Sequence, residues 1–243
     1  MLLAFESVAR TASACLCDDS GRVVAMADSA GREAEIVLVG MLDGLIRAHG
    51  LPRALAVAVG PGSFTGLRIA VTAARTLGYL EGLPVHGVDT LVARAMQEGD
   101  GLWWVLMPLK RDTTFHALCA VERGVARILA PSIASLDAEV PVLGQEHTGA
   151  VAIGPALTTK PELARRWCPG IRIGSTAPLS AVGVAAAARG VPARGWEQLL
   201  PAYHQEPAPV LQRRQQAQRA RELDAQAAQR VQTAAGQSPP GPA

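Results

Sequence analysis

Residues 54–68 read Ala-Leu-Ala-Val-Ala-Val-Gly-Pro-Gly-Ser-Phe-Thr-Gly-Leu-Arg, and this stretch decides how the chain folds. Its first six residues are an uninterrupted apolar run of the length of a buried strand. A helical pattern follows at 69–80. The segment between them is rich in glycine, which tolerates positive φ angles and close approach of another backbone. We therefore predict a strand, a tight turn and a helix, the unit from which α/β folds are built.

The glycine-rich turn could bind an anion. A helix that starts at such a turn leaves backbone N–H groups unpaired, and its dipole is positive there. The residues that could contact an anion are Gly60, Gly62, Ser63, Thr65, Gly66 and Arg68. A cation in the first helical turn opposes the dipole, so we expect Arg68 to have an acidic partner or an anionic ligand. A turn without any ligand stays equally open, because the segment is neither G-x-G-x-x-G nor G-x-x-x-x-G-K-[ST].

Short apolar runs separated by turn residues predict the other elements. Strands are expected at residues 2–5, 13–17, 23–27, 55–59, 85–88, 102–107, 115–121, 125–129 and 151–153, and helices at 35–49, 69–80, 90–96 and 179–188. Asp89 or Thr90 can cap the third helix. Two β-rich lobes with helices between them indicate a duplicated unit, although the sequence shows no clear internal repeat.

Composition sets the domain limits and the charge. The polar stretch 97–101 predicts a boundary between an N-terminal lobe at 1–100 and a second lobe with a closing helix at 101–211. Residues 212–243 are rich in Gln, Ala and Arg and then in Pro and Gly, so we expect a largely disordered tail. The tail carries +3 of a total charge of +2, which leaves the rest near −1. A nearly neutral body argues against strong binding of nucleic acid.

Several classes of protein find little support in the residues. The four cysteines form no C-x-x-C pair, and no histidine pair has the spacing of a helical metal site, so we expect free thiols and no metal. No G-x-S-x-G elbow supports a serine hydrolase. The N-terminal apolar run is too short for a signal peptide, and no run approaches the length of a membrane span. A soluble, cytoplasmic protein is expected.

The helix at 69–80 has a thin surface, because Ala70, Ala73, Ala74 and Gly78 are small. Small residues let a second helix approach closely. Packing on its own sheet is the ordinary use of such a helix, and a partner interface with the helix at 35–49 beside it is the use we favour. The predicted partner-facing residues are Ile36, Val39, Leu42, Ile46, Ile69, Ala70, Ala73, Thr76 and Leu77.

The string GPGSFTGLRIAVTAARTLGYLEGLPVHGVDTL at 60–91 resembles the hallmark segment of the bacterial TsaB family, also called YeaZ. Residues 3–7 and 11–16 resemble the first hairpin of that family, and Leu200-Pro201-Ala202-Tyr203 resembles its closing motif. The likeness spans about residues 1–210 and is strong to about residue 91. It implies an α/β fold of the actin-like ATPase (ribonuclease H-like) type, with two related lobes of mixed sheet and helices.

The resemblance also implies a function. TsaB proteins are non-catalytic dimerisation subunits that pair with the catalytic subunit TsaD, through N-lobe helices, to make threonylcarbamoyladenosine next to the anticodon of tRNAs reading codons that start with A. A small ATPase, TsaE, joins that pair. The resemblance implies no cofactor of the chain's own and contact with tRNA only through the complex. It leaves open whether ATP or ADP binds at the partner interface and whether the chain alone is a homodimer or a monomer.

Glu6 and Ser7, at the tip of the first strand, correspond to the place where actin-like ATPases hold a metal–phosphate group, so they are candidates for a vestigial nucleotide site. A simple solvated carboxylate is the alternative for Glu6. Two other functions stay open at the level of sequence: a metallopeptidase-like homologue from the glycoprotease-like group, and a nucleotide-dependent kinase of the same superfamily.

The chain departs from the family pattern at four places. The first-strand acid is usually Asp and here is Glu6, and residues 32–35 read Arg-Glu-Ala-Glu where a histidine is usual. Residues 109–111 read Leu-Lys-Arg in place of Asp-Ala-Arg, and the closing motif is followed by His204 and Gln205 in place of Arg. These departures predict a divergent member with altered partner contacts.

Overall fold

Two five-stranded mixed β-sheets form the framework of the protein in the computed structural model. The structure describes residues 1–9, 11–29, 33–139 and 149–203. They belong to one structural unit, Met1–His204, and Gln205–Ala243 form a second unit outside the described residues. Arg32, His204, Gln205 and the predicted tail therefore lie outside the described residues, and the domain limits drawn from composition stay predictions.

The first sheet has the order β3-β2-β1-β4-β5. Its strands are β1 (Leu2–Glu6), β2 (Ser13–Cys17), β3 (Val23–Asp28), β4 (Ala54–Gly60) and β5 (Val85–Asp89). Strands β1 to β3 are an antiparallel meander, whereas β4 pairs parallel with β1 and β5 parallel with β4. Helix α1 (Ala34–His49) connects the edge strand β3 to β4, and α2 (Phe64–Glu81) is the crossover that joins the parallel neighbours β4 and β5. Helix α3 (Thr90–Met96) follows β5.

The second sheet repeats this topology, with the order β10-β9-β6-β7-β8. Its strands are β6 (Gly101–Lys110), β7 (Thr113–Glu122), β8 (Val125–Leu136), β9 (Val151–Ile153) and β10 (Arg172–Ile173). Strands β6 to β8 form the meander, and β9 and β10 add in parallel. Helices α4 (Ala156–Thr159) and α5 (Leu163–Trp167) connect β9 to β10, and α6 (Ala181–Ala188) follows β10. The predicted duplicated unit is thus confirmed as a repeated strand order.

Helices α3 and α6 pack on each other between the two sheets. The face of the first sheet that meets them is made of small side chains, including Ala4, Cys15, Ala56 and Ala58, so alanine-rich α6 can lie close to the strands. Arg94 of α3 is fully buried, and its guanidinium donates to the carbonyl oxygen of Ala177 (2.9 Å) and to a Glu98 carboxylate oxygen (2.6 Å). The buried charge is therefore paired, as a buried guanidinium must be.

The opposite face of the first sheet carries the larger side chains. Leu3, Phe5, Leu55 and Val57 pack against α1 and α2. Short α4 and α5 cover the corresponding face of the second sheet, where Trp104 and Leu106 are buried. The helices on the first sheet are longer, with 16 residues in α1 and 18 in α2 against four in α4 and five in α5.

Most predicted strands and helices are confirmed within a few residues, but the glycine-rich segment is a correction. Helix α2 begins at Phe64 and not at Ile69, because Ser63 caps it and Gly66 lies inside its first turns. Of the three glycines in the segment, Gly60 has a positive φ, of 131°. Helices α4 and α5 and strand β10 were not predicted. The four cysteines are free thiols, as expected, and three of them are buried.

Because α3 and α6 lie close together, a methyl group added at Gly183 should lower the stability of the protein. A Cβ on Gly183 of α6 would lie 2.5 Å from the carbonyl oxygen of Ala93, so we expect Gly183→Ala to destabilise the protein by about 1–3 kcal/mol. Gly44 of α1 has open space around its Cα, and Gly44→Ala should stabilise by roughly 0.5–1 kcal/mol. Urea denaturation of both variants measures this, and equal shifts would contradict the packing.

Candidate functional site

The glycine-rich turn packs directly against the backbone that follows β1. A Cβ on Gly62 would lie 2.9 Å from the carbonyl oxygen of Val8, and one on Gly66 would overlap the carbonyl oxygen of Ser7. The Ser63 amide donates to the carbonyl oxygen of Val8 (2.8 Å), and the Ser7 hydroxyl donates to the carbonyl oxygen of Gly66 (2.7 Å). The glycines are therefore needed for backbone contact inside the protein.

Two of the donors expected to face an anion are used within the chain. The Gly66 amide donates to the Ser63 hydroxyl oxygen (3.3 Å), and the Ser63 amide is paired with Val8. Gly60 and Gly62 lie in the turn itself, while Thr65 and Arg68 point outward from α2. The anion site at these six residues stays a prediction. Close packing against the backbone of Ser7 and Val8 is the physical reason for glycine at positions 62 and 66.

The closing motif meets the turn. The Ala202 amide donates to the carbonyl oxygen of Val59 (2.7 Å), which extends the end of β4. The rings of Phe64 and Tyr203 lie 5.0 Å apart between centroids, and the Arg68 guanidinium carbon lies 5.3 Å from the centroid of Phe64. Phe64 and Tyr203 are 139 positions apart in the sequence, and the sequence analysis did not predict a contact between them, since a ring pair of this kind has no local signal.

A groove of about 730 Å³ runs between α1 and α2 on the outer face of the first sheet. Its apolar floor and walls are formed by Val39, Leu42, Ile46, Leu51, Ile69, Ala73 and Leu77. Polar side chains line its rim: Asp43 from α1 and Thr65, Arg68, Thr72, Thr76 and Glu81 from α2. The exposed fraction of Val39 is 67%. An apolar cleft of this size with a polar rim is typical of a binding surface.

Glu6 lies at the centre of a buried polar cluster where β1, β2 and α6 meet. Its carboxylate accepts a hydrogen bond from the Ser13 hydroxyl (2.7 Å) and another from the Val8 amide (3.1 Å). The Ser13 hydroxyl oxygen in turn accepts from the Ala181 amide (2.8 Å), the first residue of α6. Burial raises the pKa of Glu6 to about 7, and the bonds from Ser13 and Val8 lower it in part.

Neither Glu6 nor Ser7 is available to a phosphate in this arrangement. The Glu6 side chain is buried with its oxygens bonded to Ser13 and Val8, and the buried Ser7 hydroxyl is bonded to Gly66. A phosphate beside the Glu6 carboxylate would add a like charge in a poorly solvated place. The residues present do not fit a nucleotide phosphate, so the vestigial nucleotide site stays a prediction that the geometry does not support.

The outer face of the second sheet holds a second polar cluster. His116 is buried against Trp104 and Trp167, its Nε2 lies 2.9 Å from the Ser135 hydroxyl, and burial lowers its pKa to about 4. Beside it, the Lys160 ammonium contacts an Asp137 carboxylate oxygen at 2.6 Å. These bonds join β7 and β8 to α4 and α5. Within the described ranges no three His, Cys, Asp or Glu side chains come together as a metal site.

A family model described as TsaD, tRNA N6-adenosine threonylcarbamoyltransferase, matches residues 30–101. An uncharacterized protein of Mycobacterium leprae (strain TN) is 37% identical over 83 residues, which are 34% of this chain and 22% of that protein. The tRNA threonylcarbamoyladenosine biosynthesis protein TsaB of Bacillus subtilis (strain 168) is 33% identical over 79 residues, 32% of this chain and 34% of that protein. The chain thus spans about a fifth and a third of the lengths of these two relatives.

Two solved structures have the same fold. An uncharacterized protein with similarity to peptidase YEAZ from Pseudomonas aeruginosa superposes with a TM-score of 0.71 at 21% identity, over 84% of this chain and 99% of that one. YeaZ from Pseudomonas aeruginosa gives 0.69 at 21% identity, over 83% and 98%. The matches in sequence and structure support assignment of the chain to the TsaB/YeaZ family. The expected actin-like, ribonuclease H-like fold is confirmed.

The predicted partner-facing residues fall into three groups. Those that line the groove are Val39, Leu42, Ile46, Ile69, Ala73, Thr76 and Leu77. Ile36 is 77% exposed at the start of α1, beyond the groove lining. Ala70 is a correction, because it is fully buried under α2 against the sheet and cannot face a partner. Small residues occur on both sides of α2, so periodicity alone did not separate the two faces.

Sequence reasoning missed several groove residues. Asp43, Leu51, Thr72 and Glu81 line the groove but were not proposed as partner contacts. Leu51 lies outside the helix, and the other three are polar, so a search for an apolar stripe passes over them.

Among the described residues, no helix combines the length and the apolar character that a membrane span requires.

The buried Glu6 predicts how stability depends on pH. Its pKa rises from 4.5 to about 7 on folding, so its contribution to stability is present below pH 4.5 and is lost as the pH rises through 7. Glu6→Gln, which mimics the protonated acid, should therefore stabilise the protein at pH 8 by on the order of 3 kcal/mol, at 1.36 kcal/mol per pKa unit. At pH 4.5 the two proteins should be nearly equal.

The measurement is chemical denaturation of both proteins across this pH range. His116 titrates identically in both, so its effect cancels in the difference. Glu122→Gln, a change at an exposed carboxylate, is the matched control and should show little pH-dependent difference. A Glu6→Gln protein that is less stable than the wild type at pH 8 would contradict the desolvated carboxylate.

Proposed function

We propose that the chain is a non-catalytic subunit that pairs, through the groove between α1 and α2, with a TsaD-like catalytic subunit in tRNA threonylcarbamoylation. The matches to the threonylcarbamoyltransferase family model and to Bacillus subtilis TsaB support the pathway. The observation that carries the subunit role is the groove itself, an apolar surface formed by two helices that lie within the matched segment.

The shape of the groove fits a helix of a partner. The groove between α1 and α2 has an apolar floor, and the ridge of an amphipathic helix fits such a cleft through residues spaced three and four apart. Exposed Ile36 and Val39 extend the apolar surface along α1. Leaving large apolar side chains in water costs roughly 25 cal/mol per Å² relative to burying them, so covering this surface favours association.

The other parts of the proposal follow from the same pairing. The chain needs no cofactor of its own, and ATP or ADP would bind at the interface with the catalytic subunit. A TsaE-like ATPase joins the pair, tRNA is contacted through the complex, and the free chain forms a homodimer in the cytoplasm through the exposed helices. Under this proposal, the departures from the TsaB pattern at Glu6 and Leu109 alter contacts of the chain, and the partner is still a TsaD-like subunit.

The test is reconstitution with the TsaD-like subunit from the same genome. The two proteins should co-purify as a heterodimer when sized by light scattering, and the pair should modify tRNA when given the threonylcarbamoyl donor. The chain alone should form no product. Failure to form a complex from two folded proteins would overturn the subunit role, and product formation by the chain alone would overturn its non-catalytic nature.

A charged side chain on the groove wall should block pairing. Ala73 is half-buried in the wall, and Ala73→Arg would place a long cation where a partner helix must come close, so we expect binding to fall below detection. Ala48→Arg puts the same side chain on an exposed position of α1 outside the groove and should bind like the wild type. Pull-down with both variants, after circular dichroism shows that they are folded, gives the answer. Equal binding by the two variants would remove the groove from the interface.

A further inference from the structure

The charges at the two ends of α2 are placed against its own dipole. Arg68 lies in the first turns and Glu81 is the last residue of the helix, while the first turn holds no acid and the last turn no base. A helix is stabilised by the reverse arrangement, with acids at its N-terminus and bases at its C-terminus. The charges of Arg68 and Glu81 therefore destabilise α2 at its two ends. Both residues line the groove.

Neither charge is neutralised among the residues that the structure describes. The Arg68 guanidinium rests over the Phe64 ring, 5.3 Å from its centroid, and forms no ion pair with a described carboxylate. Glu81 is exposed and likewise forms no ion pair in this part of the chain. The third charge of the rim, Asp43, differs, because it is paired with Arg47 of its own helix at 2.8 Å. The charges open to a partner in the groove are thus a cation at one end and an anion at the other.

We propose that Arg68 and Glu81 set the register of the partner helix, which carries a carboxylate facing Arg68 and a basic side chain facing Glu81. This inference rests on the proposed function, since it specifies the chemistry of the occupant of the same groove. Thirteen residues of α2 separate the two charges, which is about 20 Å at 1.5 Å per residue. The partner segment is accordingly an amphipathic helix of about four turns with its acid and its base about thirteen residues apart and apolar residues between them.

Such a pattern gives specificity more than affinity. Opposite charges on the rim of an interface speed the encounter and fix the register, while like charges facing each other disfavour wrong partners. The apolar wall between the charges, with Ile69, Ala73 and Leu77, would by itself accept helices in more than one register. Charges at the two ends favour the one register of the partner helix in which its acid faces Arg68 and its base faces Glu81.

The experiment measures the Kd and the association rate for the TsaD-like subunit with four proteins: the wild type, Arg68→Glu, Glu81→Arg and the control Arg172→Glu. Each of Arg68→Glu and Glu81→Arg should weaken binding about tenfold at low ionic strength, mainly through the association rate, and less at about 0.5 M salt. Arg172 is exposed on β10 of the second sheet, so its reversal changes the net charge as much as Arg68→Glu does and should leave the Kd unchanged.

Thermal stability separates lost charge complementarity from lost folding. Glu81→Arg places a base at the C-terminus of α2 and should raise the Tm slightly while it weakens binding. Opposite signs of the two effects are what the proposal expects. A lowered Tm that accompanies weaker binding would instead assign the loss to the helix and overturn the proposal.

The remaining outcomes separate this inference from the function on which it rests. If the wild type fails to bind the TsaD-like subunit, both proposals fall. If the wild type binds and the two reversals bind within about twofold of it at low salt, the subunit role stands and the charge register is overturned. In an antiparallel pair of α2 helices Arg68 would face Glu81 of a second copy, so reversals that abolish self-association in light scattering but leave the partner Kd unchanged would assign the groove to a second copy and overturn the proposal.

Discussion

The contact between the backbone of α2 and the backbone after β1 is the constraint on which the candidate site depends. Gly66 lies so close to the carbonyl oxygen of Ser7 that no side chain fits between them, and the Ser63 amide bonds to Val8. A helix held by main-chain contact has little freedom to shift along the sheet. These contacts fix the start of α2 on the sheet. The position of α2, which forms one wall of the groove, therefore depends on Gly62 and Gly66, which are not part of the groove lining.

Two features of the first lobe oppose local stability, and both are near the proposed interface or the centre of the fold. Helix α2 has Arg68 and Glu81 at the ends that its dipole disfavours, and burial of the Glu6 carboxyl group raises its pKa to about 7. Among the described residues, Arg68 contacts the Phe64 ring, and the Glu6 carboxylate accepts hydrogen bonds from Ser13 and Val8. Residues that break a local stability rule often mark functional sites. Arg68 and Glu81 both line the groove, so their positions point to a role in binding there.

Sequence reasoning succeeded where the physical signal is local. The apolar runs of β1 and β4 and the stripe of α1 are periodic over five residues or more, and the structure has them within a residue or two. Helix α2 was started five residues late, because Gly62 and Gly66 were interpreted as turn glycines, whereas Gly66 is helical and is needed for close approach to Ser7. Helices α4 and α5 have four and five residues, too few for a pattern to repeat.

The parts of the candidate site that could not be predicted depend on contacts between distant segments. The contact of Tyr203 with Phe64 joins the last described residue to the first residue of α2, and no spacing rule anticipates it. Ala70 was assigned to the partner face because small residues occur on both sides of α2, and only burial against β-strands separates them. The groove itself is lined by residues of both α1 and α2, and the separate hydrophobic stripes of the two helices do not encode how they lie side by side.

The family model and the structure comparison cover different lengths of the chain. The family model matches residues 30–101, whereas the fold of the Pseudomonas aeruginosa protein matches over 84% of the chain at 21% identity. A core tolerates many substitutions if volume and pattern are kept, so the repeated sheet topology can persist while its sequence changes. A surface that must fit a partner has to keep particular side chains in place, and the segment matched by the family model is the one that holds α1, α2 and the groove. The first lobe therefore carries the recognition surface of the proposed complex, and the second lobe closes the core through α6, whose first amide is bound to Ser13 beside Glu6.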